Sequence, residues 1–198
     1  ERHPTGAVVL DGPRGLLRSR LLVPVRRFDP GRDRVASTAE TAAMRRAITV
    51  ARAALGTTNP NPAVGAVVLD ADGREVAAGA TAPAGGPHAE VVALAAAGDR
   101  SRGGSVVVTL EPCAHRGRTG PCTDALIAAG LARVVFATSD PHELAAGGGE
   151  TLRAAGIDVE GGVLEAEALA DLGPWPLAMS RRRPSVTWKY AATLDGRP

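Results

Sequence analysis

The residues best suited to chemistry fall in two short stretches. The first is His88-Ala89-Glu90, an imidazole and a carboxylate two positions apart. The second runs from Glu111-Pro112-Cys113-Ala114-His115 to Pro121-Cys122 and holds both cysteines of the chain. One imidazole and two thiolates are three ligands for tetrahedral Zn2+, leaving the fourth position to water. Zinc brings the pKa of such a water to about 7. Glu90 can face the metal without binding it, and so can carry protons between that water and a substrate. Each piece has a plainer reading. His-x-Glu also begins ordinary helices, where the carboxylate favours the N-terminal dipole. Two cysteines can be inert buried thiols, and His115 as a fourth ligand would close the site into a structural one. Taken together, the residues favour the open arrangement: His88, Cys113 and Cys122 as metal ligands, Glu90 as the catalytic group.

The elements that must position these groups can be read from the surrounding sequence. Ser37-Thr38-Ala39-Glu40 fits a capping box, and Met44, Ala47, Ile48, Ala51 and Leu55 follow at helical spacing until Gly56. Asn59-Pro60-Asn61-Pro62 is a turn by composition and leads into an apolar run from Ala63 to Leu69. Asp70-Ala71-Asp72-Gly73 is a hairpin turn into a strand near 75–80. Helices and strands then alternate: a helix from His88 to about Ala97, a buried strand 105–110, a helix 122–129 and a strand 133–138. A helix near 149–155 and a short strand 157–159 complete the series. Continuous apolar strands separated by helices imply a sheet covered on both faces. The fold class expected is α/β, a three-layer α/β/α sandwich whose opening hairpin makes the sheet mixed. Cys113 then lies just past the carboxyl end of a strand, where open α/β sheets place their ligands. Cys122 begins a helix, where the dipole favours thiolate.

The chain has 198 residues and 44% apolar residues, enough for one domain with a proper core. Two cysteines cannot build a disulfide framework. No apolar run approaches the roughly 20 residues that cross a bilayer, and the opening residues lack the pattern of a secretory signal. No membrane partner and a cytoplasmic location are therefore expected. The net charge of +2 is unevenly spread. Residues 1–36 carry eight Arg and four acids, residues 181–198 five basic residues and one acid, and residues 37–180 ten Arg and 16 acids. The basic character belongs to the ends. The mildly acidic middle is a poor surface for a phosphate backbone, so no nucleic-acid partner is expected. Three segments follow: a basic, loosely ordered extension over 1–36, a zinc domain over 37–180, and a C-terminal segment over 181–198.

His-x-Glu followed by Pro-Cys…Cys is the arrangement of zinc deaminases, with the glutamate as general acid and base. The spacing here is Pro-Cys-x8-Cys, where nucleic-acid and cytidine deaminases typically have Pro-Cys-x2-Cys. Longer strings are more specific: Asn59-Pro60-Asn61-Pro62-Ala63-Val64-Gly65, His88-Ala89-Glu90-Val91, and Thr109-Leu110-Glu111-Pro112-Cys113 through Cys122. Ala129-Gly130-Leu131-Ala132-Arg133-Val134-Val135 and Ala155-Gly156-Ile157 belong with them. With these the chain resembles the deaminase half of the bifunctional riboflavin-biosynthesis deaminase/reductase family, over about 40–198.

The resemblance implies a cytidine-deaminase-like fold and hydrolytic deamination of diaminohydroxyphosphoribosylaminopyrimidine to 5-amino-6-(5-phosphoribosylamino)uracil. It implies zinc on His88, Cys113 and Cys122, proton transfer by Glu90, and a small-molecule pyrimidine ribosylamino phosphate as partner. By position, Asn61 would hold the pyrimidine, since an amide both donates and accepts. Its plainer reading is a turn residue. His115 and Arg118 match contacts to the ribose phosphate, as two cationic donors suit a dianion, and Asp140 falls in the family's Asp-Pro-Asn-Pro string. Two positions depart. A substrate-contacting His usual before His-x-Glu is Thr81 here, and the Asp-Pro-Asn-Pro string is Asp140-Pro141-His142-Glu143. Arg183 to Arg197 resembles the first strand of the family's reductase domain. NADPH would be used only by a full reductase domain, so no reductase activity is expected of these residues alone. Family members often assemble, and an exposed strand favours a homo-oligomer. Two other readings share the metal site: a nucleic-acid-editing deaminase, and a zinc-bearing module inactive without its reductase domain.

Overall fold

Runs of β-branched residues form the centre of the molecule. The computed structural model describes residues 35–116, 120–142, 146–191, 193 and 195. Strands β1 (Gly65–Leu69), β2 (Glu75–Ala80), β3 (Ser105–Leu110), β4 (Arg133–Thr138) and β5 (Asp158–Gly161) make one sheet in the order β2-β1-β3-β4-β5. β1 is antiparallel to both β2 and β3, whereas β3, β4 and β5 run parallel. The sheet is therefore mixed, as the opening hairpin required. Every residue of β1, β3 and β4 is buried, the signature of strands covered on both faces.

Two cores share the strands between them. On one face Val68, Val106, Val108 and Val134 pack with Ala89, Ala93 and Ala97 of helix α2 (Ala89–Ala97), Leu126 of α3 (Cys122–Ala128) and Leu152 of α4 (Gly148–Ala154). On the other, Val67, Val107 and Val135 meet Met44, Ala47 and Ile48 of α1 (Thr38–Ala53) and Ala168 of α5 (Glu165–Leu172). The arrangement is the three-layer sandwich. Small residues let the layers close: a Cβ on Gly65 would lie 2.0 Å from the Ala47 carbonyl oxygen, so only glycine lets α1 seat on β1. The capping box forms as read, with Ser37 N–H donating to Glu40 at 2.7 Å and Glu40 N–H to Ser37 Oγ at 3.2 Å.

Helix and strand boundaries differ from the sequence reading by one or two residues. His88 caps α2 rather than beginning it, and β5 spans 158–161 instead of 157–159. Two helices were not anticipated, α5 and α6 (Trp175–Arg181). Their apolar faces are short and interrupted by Gly173, Pro174 and Pro176. Described residues 184–191 form neither helix nor strand and are exposed, including Val186, Trp188 and Tyr190. A strand needs a neighbour to take up its backbone groups. The extension read over 1–36 lies outside the described residues apart from Val35 and Ala36. No helix among the described residues is long and apolar enough to cross a membrane.

Candidate active site

One end of the sheet gathers the chemistry. β3 and β4 finish there, antiparallel β1 begins there, and the turn through Asn61 and Pro62 leads into it. The turn is locked by its own hydrogen bonds: Asn61 N–H donates to the Thr58 carbonyl at 2.9 Å, and Thr58 Oγ1 donates to the Asn61 carbonyl at 2.9 Å.

His88 is the N-cap of α2, Cys113 follows β3 and Cys122 is the first residue of α3. His88 Nδ1 lies 3.2 Å from Cys122 Sγ and 3.6 Å from Cys113 Sγ. All three donor atoms fall within 4.8 Å of one another. Bonds of about 2.0–2.3 Å at tetrahedral angles require donors roughly 3.4–3.8 Å apart, so this soft N/S/S set, with both sulfurs buried and the imidazole half-buried, suits zinc. His115, weighed as a fourth ligand, does not join the group. The loop between the cysteines is tied at its base, where Cys122 N–H donates to Cys113 Sγ at 3.4 Å and Thr123 N–H to the Cys113 carbonyl at 3.3 Å.

The electrostatics are those of a site built for charge. A hydrogen bond from the Cys122 thiol, joined by His88, brings the Cys113 thiol down to about 4, making it the thiolate. The same contact between the two thiols, with burial, pushes Cys122 upward. Metal ligands must be deprotonated, so a bound cation would displace the proton that Cys122 retains. His88 is raised, first by its bond to Cys113, against the opposing effect of burial. Glu90 is 4% exposed, and burial raises its carboxyl pKa above the ordinary value.

Around this floor lies a cavity of about 480 Å³. His88, Glu90 and Cys113 face it, as do three residues expected to touch substrate: Asn61, His115 and Asp140. His115 Nδ1 is buried with no hydrogen-bond partner. Asp140 takes a hydrogen bond from His142 N–H at 2.8 Å, and burial raises its pKa. Arg118 lies outside the described residues. Thr81 also lines the cavity, but its hydroxyl is engaged with the Val64 backbone, accepting from N–H at 3.2 Å. It braces the entry to β1. Trp175 and Met179 of α6 supply an apolar wall that sequence reasoning missed. Their four-residue spacing, one helical turn, was the available signal.

The model for the cytidine and deoxycytidylate deaminase zinc-binding region matches residues 37–138, just over half of the chain. The chain belongs to that zinc-binding deaminase family. Within it, the similarity is to the deaminase half of riboflavin biosynthesis protein RibD. The Mycobacterium tuberculosis (strain H37Rv) RibD is 53% identical over 143 residues, which are 72% of this chain and 42% of that protein. The solved structure of Acinetobacter baumannii RibD superposes with a TM-score of 0.76 at 44% identity, covering 80% of this chain and 45% of the other. A Thermotoga maritima structure described as a diaminohydroxyphosphoribosylaminopyrimidine deaminase/5-amino-6-(5-phosphoribosylamino)uracil reductase gives 0.74 at 45% identity, covering 80% and 46%. The chain thus spans less than half the length of these relatives. The deaminase character and the cytidine-deaminase-like fold of the sequence reading stand.

Proposed function

We propose that this chain is a zinc-dependent hydrolase, soluble and cytoplasmic, that deaminates diaminohydroxyphosphoribosylaminopyrimidine to 5-amino-6-(5-phosphoribosylamino)uracil in riboflavin biosynthesis. The observation that carries the reading is the pairing of a three-donor N/S/S group with the buried carboxyl of Glu90 in one cavity. The name of the Thermotoga maritima relative supports the choice of substrate.

His88, Cys113 and Cys122 would hold the ion. Bound there, zinc supplies Lewis-acid activation of water near neutral pH. Glu90 takes a proton from that water and passes it to the pyrimidine ring nitrogen. The water oxygen bonds to the amidine carbon, and a second transfer, of the added hydroxyl's proton to the exocyclic amine, breaks the C–N bond, so ammonia leaves and the carbon becomes a carbonyl. The raised pKa of Glu90 lets it both accept and return a proton. Asn61 would read the pyrimidine edge. His115, its Nδ1 buried and unpartnered, and Arg118 would meet the ribose phosphate, while Asp140 holds the opposite wall.

The test is ammonia release from the diaminopyrimidinone ribosylamino phosphate, with chelated protein as control. Release that stops on chelation and returns with zinc is expected. Zinc-loaded, folded protein that releases none would overturn the reading in favour of a metal-bearing module that needs its second domain.

A further inference from the structure

Among the described residues, Glu111 is the carboxylate lining the cavity whose two oxygens are both taken up by backbone N–H groups. It follows β3 directly and precedes Pro112 and the ligand Cys113, and it is 9% exposed. Its own N–H donates to the Thr138 carbonyl at 2.8 Å, fastening it to the end of β4. Oε2 accepts from Asp140 N–H at 3.3 Å and Oε1 from Gly149 N–H at 2.9 Å. One side chain therefore joins the start of the cysteine loop, the turn that carries Asp140 and His142, and the first turn of α4.

The packing at this seam is close. A Cβ on Gly148 would sit 1.7 Å from the Pro112 carbonyl oxygen, and one on Gly149 would sit 3.4 Å from Glu111 Oε1. Backbone thus meets backbone there, and the carboxylate bridges what remains. A carboxylate accepting two N–H groups is well suited to the role, since hydrogen bonds to a charged acceptor are about twice as strong as neutral ones. A glutamine would turn an N–H2 group toward one of those N–H donors.

We infer that Glu111 is a positioning residue: it fixes the distance between the metal loop and the Asp140–His142 wall, and so sets substrate fit without touching the reacting atoms. The inference rests on the deaminase reading above. It predicts a split in the kinetics. Glu111→Gln should keep one zinc per chain, raise KM about tenfold and leave kcat within about threefold, because removed uniform binding raises KM alone. The effect should pass through Asp140. In an Asp140→Asn background, adding Glu111→Gln should change KM less than about twofold, since residues in one network do not act additively.

The experiment is this double-mutant cycle on the zinc-loaded full chain, with metal content and amide hydrogen exchange of Asp140 and Gly149 measured on each variant. A KM split, coupling to Asp140 and faster exchange at both amides in Glu111→Gln are the expected results. Zinc loss, an unchanged KM, or a KM effect that multiplies with that of Asp140→Asn would overturn the inference. If wild-type protein holds zinc yet releases no ammonia, the deaminase reading fails. The exchange measurement still decides whether Glu111 clasps the seam: faster exchange supports it and unchanged exchange refutes it.

Discussion

The two ends of β4 handle buried polar groups in opposite ways. At its start, Arg133 lies with a side chain 6% exposed and meets three carboxylates. It bonds Glu40 of α1 at 2.8 Å and also pairs with Asp158 and Glu160 of β5. Glu160 in turn accepts from Ala36 N–H at 3.1 Å. These three partners come from the fold itself, and the cluster ties the N-terminus of α1 to the edge strand. At the far end of β4 the cavity holds a histidine nitrogen with no partner, two free thiols beside an imidazole and a carboxyl whose pKa burial raises. Groups that satisfy one another stabilise; groups left for something else to satisfy are where function resides.

Substitutions at the two ends should therefore fail in different ways. The largest effect is expected of Glu90→Gln, which keeps zinc but removes the proton carrier. General acid–base groups contribute 10²–10⁴-fold, so turnover should fall by about 10³ while metal analysis still finds one ion per chain. Arg133→Met should instead cost about 3–5 kcal/mol of stability by stranding buried carboxylates, read by chemical denaturation, with KM and zinc affinity unchanged. A fall in KM-related fit there would blur the contrast. Removing zinc from wild-type protein should lower stability by about 4 kcal/mol relative to protein with free zinc at a thousandfold excess over its dissociation constant, as seen in thermal unfolding.

Smaller effects sharpen the picture. His115→Ala should raise KM about tenfold, the scale of one charge-assisted hydrogen bond, and leave the metal in place. Acid should weaken the structural end through Glu40. Burial pushes its pKa up, but hydrogen bonds from Ser37 and the Arg133 guanidinium outweigh this and hold it below its ordinary value of 4.5. A group depressed on folding stabilises above its unfolded pKa, and that contribution disappears as pH falls through the folded value. Denaturation midpoints should therefore decline below about pH 4.5, and Arg133→Met should flatten that decline.

Much of this contrast was legible in the sequence, though unevenly. The cluster of His88, Cys113 and Cys122 with Glu90 beside it could be singled out because few residue types suit metal chemistry and the chain has only two cysteines. The sheet could be read because β1, β3 and β4 are continuous apolar runs. Arg133 could not be foreseen as a hub: one arginine opening a strand looks like any other until Glu40, Asp158 and Glu160, far apart in sequence, converge on it. Helix α5 was missed although Leu164, Ala168 and Leu172 repeat every four residues, because the segment also reads as an alanine-rich connection. Trp175 and Met179 were hidden by the prolines beside them. Thr81 read as a lost substrate contact, whereas its hydroxyl bonds to Val64, a partner 17 residues away.

The most direct test of the account is a zinc titration of chelated protein, with bound metal and ammonia release followed in the same samples. Both should rise together and level off at one equivalent per chain. Release that persists in metal-free protein, or a full equivalent bound with no release at any point, would contradict it.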